Sequence, residues 1–372
     1  MSKKTSTIWP APPHTIAKIA LLRRYLSVWF SILGRSGHAP SRDMWFIDGF
    51  AGPGEYTNDP DGSPVAALQA ADTALGKAGA AISGGIRCVF FEEDSKRFEH
   101  LQDRLAEHPK NPRVERYSFH GTFEAGMDWL RMQRENPFTR SCPLFVFVDP
   151  FGTSGLPYRL LKTVLEHQRA EVLVNLDSDG VGRVLAAREN GNHVAQLDSL
   201  YGDRSWATRL DASLGMHRLV KDAVQLYRER LGAIPGVDYT FPFEMRSRAT
   251  LANYHLIFAT RHRLGLEKMK EAMKTIDQSG AYTFCDTHVG QHQMFSSNDP
   301  AHYANSLHRK FKGLSVAYAD VDRYALNESP FLNPKQMLKE LEAQNLIEVE
   351  SKDATRRKRT FPEDKIRLIT FI

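Results

Sequence analysis

The stretch WFIDGFAGPGEYTNDPDGSP, residues 45–64, decides how the rest of the chain is read. An apolar run from Met44 to Ile47 ends in a carboxylate, Asp48, and Gly49, Gly52 and Gly54 follow at once. A short apolar run closed by a Gly-rich turn reads as a buried strand. In an open α/β sheet, ligands bind in the crevice beyond the carboxyl ends of the strands. Glycines there let the backbone approach a ligand and take positive φ. A carboxylate beside them accepts hydrogen bonds from an amine or a hydroxyl. The spacing fits neither GxGxxG nor GxxxxGK[ST], and no lysine follows the loop, so a triphosphate cradle is not expected. The tail, Glu55 to Pro64, is polar and turn-rich, with Ser63 and Pro64 opening the next helix. It is a candidate lid over the crevice.

Working outward, residues 14–33 carry Ile16, Ile19, Leu22, Tyr25, Leu26 and Trp29 at helical spacing. IRCVFFEED (86–94), VERYSFH (114–120), PLFVFVDPFG (143–152) and EVLVNLD (171–177) read as further strands alternating with helices. Strands apolar along their whole length indicate a parallel sheet covered on both faces, a Rossmann-like α/β fold. Residues 180–237 show no strand pattern and read as a helical insertion. YTFPFEMRS (239–247) and YHLIFATRH (254–262) are expected to pair antiparallel at the sheet edge. The first domain is thus placed at 1–283 and an irregular polar linker at 284–326. A winged-helix-like module is placed at 327–372, built from NPKQMLKELEA, a hairpin and the basic loop DATRRKRT.

The 372 residues are 42% hydrophobic and 25% charged, with a formal net charge of +5, which permits nucleic acid as a partner without demanding it. No run approaches the roughly 20 apolar residues of a membrane span. No apolar segment follows Met1-Ser2-Lys3-Lys4, so a cytoplasmic location is expected. The cysteines, Cys88, Cys142 and Cys285, lie far apart, which argues against disulfides and zinc; Cys88 and Cys142 are expected as buried thiols. No metal site is expected. Asp177, Asp179 and Glu189 read as a solvated loop, and Asp286, His288 and His292 lack the HExxH frame of a zinc hydrolase.

Two further acidic positions join Asp48. Glu92 ends the second strand, where an acidic group can accept both hydroxyls of a ribose; Asp94 or Ser95 is the better candidate cap for the following helix. Asp149-Pro150-Phe151-Gly152 ends the fourth strand. The basic run Arg356, Arg357, Lys358 and Arg359, with Lys335 and Lys339 on the helix before it, is a candidate contact for a phosphate backbone.

The strand–Asp–Gly turn resembles the first motif of S-adenosylmethionine-dependent class I methyltransferases. That resemblance implies cofactor contacts from Asp48, Phe50, Ala51, Gly52, Gly54 and Glu92, with Gly121 and Thr122 after the third strand on the adenine side. D-P-F-G resembles the D-P-P-Y motif of methyltransferases that modify exocyclic or amide nitrogens, and the motif of tRNA guanine N2-dimethyltransferases. It implies that Asp149 and a backbone carbonyl hold a planar NH2 group while Phe151 stacks on its ring. This chain departs from the D-P-P-Y motif in having Phe151-Gly152 in place of Pro-Tyr. FIDGFAGPGEY, DGSP, FVFVDPFGTSGL, and YHLIFATRH with GLEKMKEAM together resemble the three-Cys-motif partner proteins, over about residues 14–350. These bacterial proteins occur with a companion resembling radical S-adenosylmethionine enzymes. The three cysteines of the name belong to that companion, and Cys88, Cys142 and Cys285 do not have their spacing. Two functions follow: methyl transfer to a nitrogen of a nucleic-acid base, or a non-catalytic nucleic-acid-binding role beside the companion.

Overall fold

The computed structural model describes residues 7–35, 43–59, 61–78, 81–139, 141–188, 191–211, 213–247, 252–277, 282–285, 299–352 and 356–372. Helix α1 (Pro13–Gly34) leads into β1 (Met44–Asp48), α2 (Ser63–Ala78), β2 (Ile86–Glu92), α3 (Ser95–Glu107), β3 (Val114–His120) and α4 (Phe123–Met132). β4 (Leu144–Val148), α5 (Tyr158–Glu166) and β5 (Ala170–Leu176) follow. Next come α6 (Ser178–Ala186), α7 (Gly191–Tyr201), α8 (Trp206–Arg209) and α9 (Met216–Gly232). β6 (Tyr239–Ser247), β7 (Ala252–Thr260), α10 (Arg263–Ile276) and β8 (Thr283–Cys285) end the first of two compact units.

The strand order is β3-β2-β1-β4-β5-β7-β6-β8. β1 to β5 run parallel, and β7 lies antiparallel to both β5 and β6. This is the Rossmann-like sheet expected for a class I methyltransferase. One expectation needs correction: the β6–β7 hairpin does not close the edge. β7 is interior, and the three-residue β8 pairs parallel with β6 outside it.

β1, β4 and β5 are buried at every position because helices cover both faces of the sheet. Trp45, Ile47, Val146, Val148, Val172 and Val174 pack with α4 to α9. On the opposite face the Tyr25 ring lies 5.3 Å from Phe145 and 5.5 Å from Phe258. Below that ring, Glu171 at the start of β5 accepts hydrogen bonds from the Tyr25 hydroxyl at 2.6 Å and the Thr260 hydroxyl at 2.8 Å. Burial holds its carboxyl above the usual carboxylate range, and the Tyr25, Thr260 and Trp29 donors oppose that rise. Cys88 and Cys142 are buried, and Cys285 is half-buried.

The second unit holds α11 (Pro300–Phe311), β9 (Ser315–Val316), α12 (Tyr318–Glu328), α13 (Lys335–Ala343), β10 (Ile347–Ser351) and β11 (Ile366–Phe371). Its antiparallel sheet has the order β10-β11-β9. Within the span 284–326 expected as an irregular linker, the described residues instead form the end of β8, then α11, β9 and most of α12. α11, β9 and α12 supply Leu307, Phe311, Tyr318 and Val321 to one core with Leu338, Leu341, Ile369 and Phe371. The polar composition of 299–312 hid an amphipathic helix. Residues 286–298, with the expected positions of Asp286, His288 and His292, lie outside the described residues, as does Glu189.

Candidate cofactor and acceptor site

Asp48 ends β1 with no exposure, in register with Phe90 and Phe147 of the flanking strands. The chain after it stays stitched to the sheet: the Gly49 amide donates to the Phe147 carbonyl and the Ala51 amide to the Phe91 carbonyl, both at 2.9 Å. Asp48 Oδ1 accepts the Phe50 amide at 3.1 Å. Oδ2 is buried with no hydrogen bond of full geometry among the described residues. Burial pushes the carboxyl up to about 7; hydrogen bonding from Ser63 and the Phe50 amide opposes this, and the charges of Asp149 and Glu92 add to it.

Gly52 has φ +62, and a Cβ on it would meet nothing within 4 Å. The left-handed backbone there favours glycine, and the space beside it is open. Its amide donates to Glu92 Oε2 at 2.9 Å, while Glu92 Oε1 accepts the Asp94 amide at 2.8 Å and lies 3.3 Å from Arg97 Nε. Asp94, not Glu92, caps α3. Burial raises the Glu92 carboxyl, against the pull of the Asp94 amide and Arg97.

The other positions expected on the cofactor side divide. The Phe50 ring packs on Phe123 at 5.9 Å, so its amide rather than its ring serves Asp48. Gly54 takes φ +83 and its carbonyl accepts the Gly62 amide at 2.9 Å; a Cβ on Gly62 would lie 2.6 Å from that carbonyl. The Gly121 amide donates to the Glu92 carbonyl. The Thr122 hydroxyl caps α4 by accepting the Ala125 amide, so it is occupied by the fold.

Asp149 follows β4, and the β4–β5 register sets Asn175 beside it. Asn175 Nδ2 donates to Asp149 Oδ1 at 2.6 Å. Asp149 Oδ2 pairs with Lys18 Nζ of α1 at 2.5 Å. Both oxygens of the carboxylate that the motif resemblance assigns to a substrate NH2 group thus already hold protein donors. Lys18 was not among the expected site residues. Its position four residues before Leu22 and seven before Tyr25 puts it on the buried face of α1, and it is 6% exposed. Pro150 is buried, Gly152 takes φ +87, and Phe151 is 59% exposed. The Phe151 ring meets Trp9 at 5.8 Å and lies under the Arg97 guanidinium at 5.3 Å.

The loop after Gly54 forms a pinned wall rather than a hinged lid. Glu55 meets His100 and Arg104 of α3, Asp61 meets Arg23 of α1, and Asn58 makes two hydrogen bonds to the Ala11 backbone. The Thr57 amide donates to the Trp9 carbonyl, and Trp9 packs edge-on against Tyr56. Burial raises the Tyr56 hydroxyl, and the charges of Asp149 and Asp48 raise it further. Tyr254 of β7 is raised by burial and by Asp177 and Asp149. Asp177 caps α6, and Asp179 receives the Asn253 amide.

In the second unit Lys335, Lys339, Arg357, Lys358 and Arg359 are exposed. Arg356 departs from the expected set. It pairs with Glu342, lies over the Phe361 ring at 5.4 Å and donates to the Thr360 carbonyl, so it shapes the loop that carries the other three.

No protein-family model matches the chain, and no curated protein matches it in sequence. Among solved structures it is similar to an O-methyltransferase from Bacillus cereus in complex with SAH, at 14% identity over 64% of this chain and 80% of that one, with a TM-score of 0.36. It is similar to the O-methyltransferase TomG from Streptomyces achromogenes in complex with SAM, at 18% identity over 68% and 93%, with a TM-score of 0.33. It is also similar to TYW2 from P. horikoshii in complex with MeSAdo, at 9% identity over 68% and 66%, with a TM-score of 0.28. At such identities and scores, nothing about substrate passes from them to this chain.

Proposed function

We propose that the first unit is an S-adenosylmethionine-dependent methyltransferase and that its acceptor is a planar ring, a nitrogen of a nucleic-acid base. The observation that carries this reading is the convergence of Asp48, Glu92 and Asp149 at the carboxyl ends of β1, β2 and β4 around the open turn at Gly52. Asp48 and Glu92, buried acids held above their usual range, are suited to a ligand that brings positive charge. The cofactor supplies a sulfonium, whose charge is lost as the methyl leaves. The protein's part is in-line positioning in a pocket shut off from water. Glu92 would take the ribose hydroxyls, and Trp9 and Phe151 would flank a planar acceptor.

The test is isothermal titration with S-adenosylhomocysteine, followed by transfer of labelled methyl to RNA and DNA. Micromolar binding and label in nucleoside are expected. Absence of heat with both S-adenosylmethionine and its demethylated product would reject the cofactor.

A second reading has its own observation: Lys18 and Asn175 occupy Asp149. In that reading the first unit binds the cofactor without transferring its methyl, and the protein serves a companion enzyme. The resemblance to the three-Cys-motif partner proteins suggests a radical-S-adenosylmethionine-like companion. Binding without label in any nucleic acid separates this reading from the first.

Both readings give the second unit the grip on nucleic acid. The order helix, strand, two helices and a hairpin is compatible with a winged helix, in which the exposed Arg357, Lys358 and Arg359 would lie on the wing. Arg357→Gln/Lys358→Gln/Arg359→Gln should weaken RNA or DNA binding and lower the slope of log affinity against log salt by about 2–3. Filter binding across a salt series measures it; an unchanged slope would remove the wing from the interface.

A further inference from the structure

The crevice carries Asp48, Glu92 and Asp149, and beside them lies one buried ammonium, Lys18. Its side chain is 8% exposed and its Nζ sits 2.5 Å from Asp149 Oδ2. A lysine ammonium has three N–H donors. Asp149 is its one recorded partner among the described residues, so donors remain on a nine-tenths buried cation at the rim of the crevice. Buried donors left unmade are costly, and a ligand group with lone pairs and negative charge relieves that cost.

An ammonium paired with a carboxylate is the complement of an α-amino acid, which carries the same two charges in reverse on one carbon. We propose that the Lys18–Asp149 pair is the subsite for the amino-acid end of a nucleoside cofactor, with Lys18 taking the α-carboxylate and Asp149 the α-ammonium. The assignment rests on the cofactor reading above and deepens it. A ligand carboxylate entering beside three acids is repelled unless a cation meets it, and Lys18 supplies that cation. Asn175 keeps the other Asp149 oxygen, so Asp149 holds its place when Lys18 turns toward the ligand. Packing of Leu21, Leu22 and Tyr25 fixes α1, so the ammonium is presented from a rigid element. The pair thus selects adenosyl amino acids over nucleosides that lack the amino-acid tail.

The experiment compares S-adenosylhomocysteine with 5′-methylthioadenosine, which lacks the amino-acid end, by calorimetry on wild type, Lys18→Met and Lys18→Arg. Wild type should bind S-adenosylhomocysteine at least tenfold more tightly. Lys18→Met should weaken that ligand by roughly 10- to 100-fold, the loss of a charged hydrogen bond, and leave 5′-methylthioadenosine within about twofold. Lys18→Arg should recover part of the loss. Retained methylthioadenosine binding shows that the variant is folded. Parallel weakening of both ligands, or no weakening of S-adenosylhomocysteine, overturns the assignment alone. No binding of either ligand by wild type overturns the cofactor reading and this assignment with it.

Discussion

Asp48→Asn is expected to weaken S-adenosylmethionine binding at least 100-fold and, above pH 7, to make the unliganded protein more stable. The two effects share a cause. In the folded protein the Asp48 carboxyl titrates at about 7, against an ordinary value of 3.8. Between those values the folded state holds a proton that the unfolded chain has released. Stability therefore falls as pH rises through that window, and the penalty is at full size above pH 7. Asparagine removes the charge. Its melting temperature should exceed that of wild type at pH 8, by a stability difference on the order of 1–3 kcal/mol, and the gap should close toward pH 4. The ionised form is the one that meets a cationic ligand. Wild-type affinity for S-adenosylmethionine should rise up to about tenfold from pH 6 to pH 8. Calorimetry across pH measures both. Binding by Asp48→Asn within threefold of wild type would remove Asp48 from the cofactor site.

Glu171→Ala should cost about 3–5 kcal/mol of stability, the largest loss expected from a single side chain away from the crevice. The truncation leaves the Tyr25 and Thr260 hydroxyls without their shared acceptor and opens a void where α1, β5, β7 and α10 meet. The native carboxylate packs directly on Gly265 of α10, where a Cβ would lie 2.3 Å from Glu171 Oε1, and glycine has no side chain to fill the void. Glu171→Gln keeps the shape and an oxygen acceptor. Since burial already favours the neutral carboxyl, it should cost roughly 1–2 kcal/mol. Urea unfolding at pH 7 distinguishes them; equal midpoints for wild type and Glu171→Ala would show that the hub contributes nothing.

The parts legible in the sequence were those with a local signature. β1, β2, β4 and β5 are apolar runs closed by an acid, and Asp48, Glu92 and Asp149 stand at the strand ends because those runs stop there. Lys18 escaped notice because a lysine within an amphipathic helix is read as solvent-facing. Its phase with Leu22 and Tyr25 was the available signal, and the carboxylate that justifies burying it lies 131 residues away in sequence (149 − 18). The place of β7 was equally hidden. A hairpin pattern fixes the β6–β7 pairing, but which of the two strands meets β5 depends on packing across the whole sheet. The wall at 55–59 reads as a free loop until Trp9, Ala11 and Arg23 are seen to hold it.

The interior position of β7 bears on how the chain is made. A ribosome releases β5 long before β7, with α6 to α9 and then β6 between them. Until Thr260 has emerged, the outer edge of β5, through Val172, Leu173 and Val174, has no strand to pair with. β6 cannot stand in, because its partners are β7 and β8. An unpaired apolar edge is a template for aggregation. Any fragment meant to isolate the crevice strands must run through Thr260, and a nascent chain stalled after α9 would be a substrate for chaperones rather than a folded half.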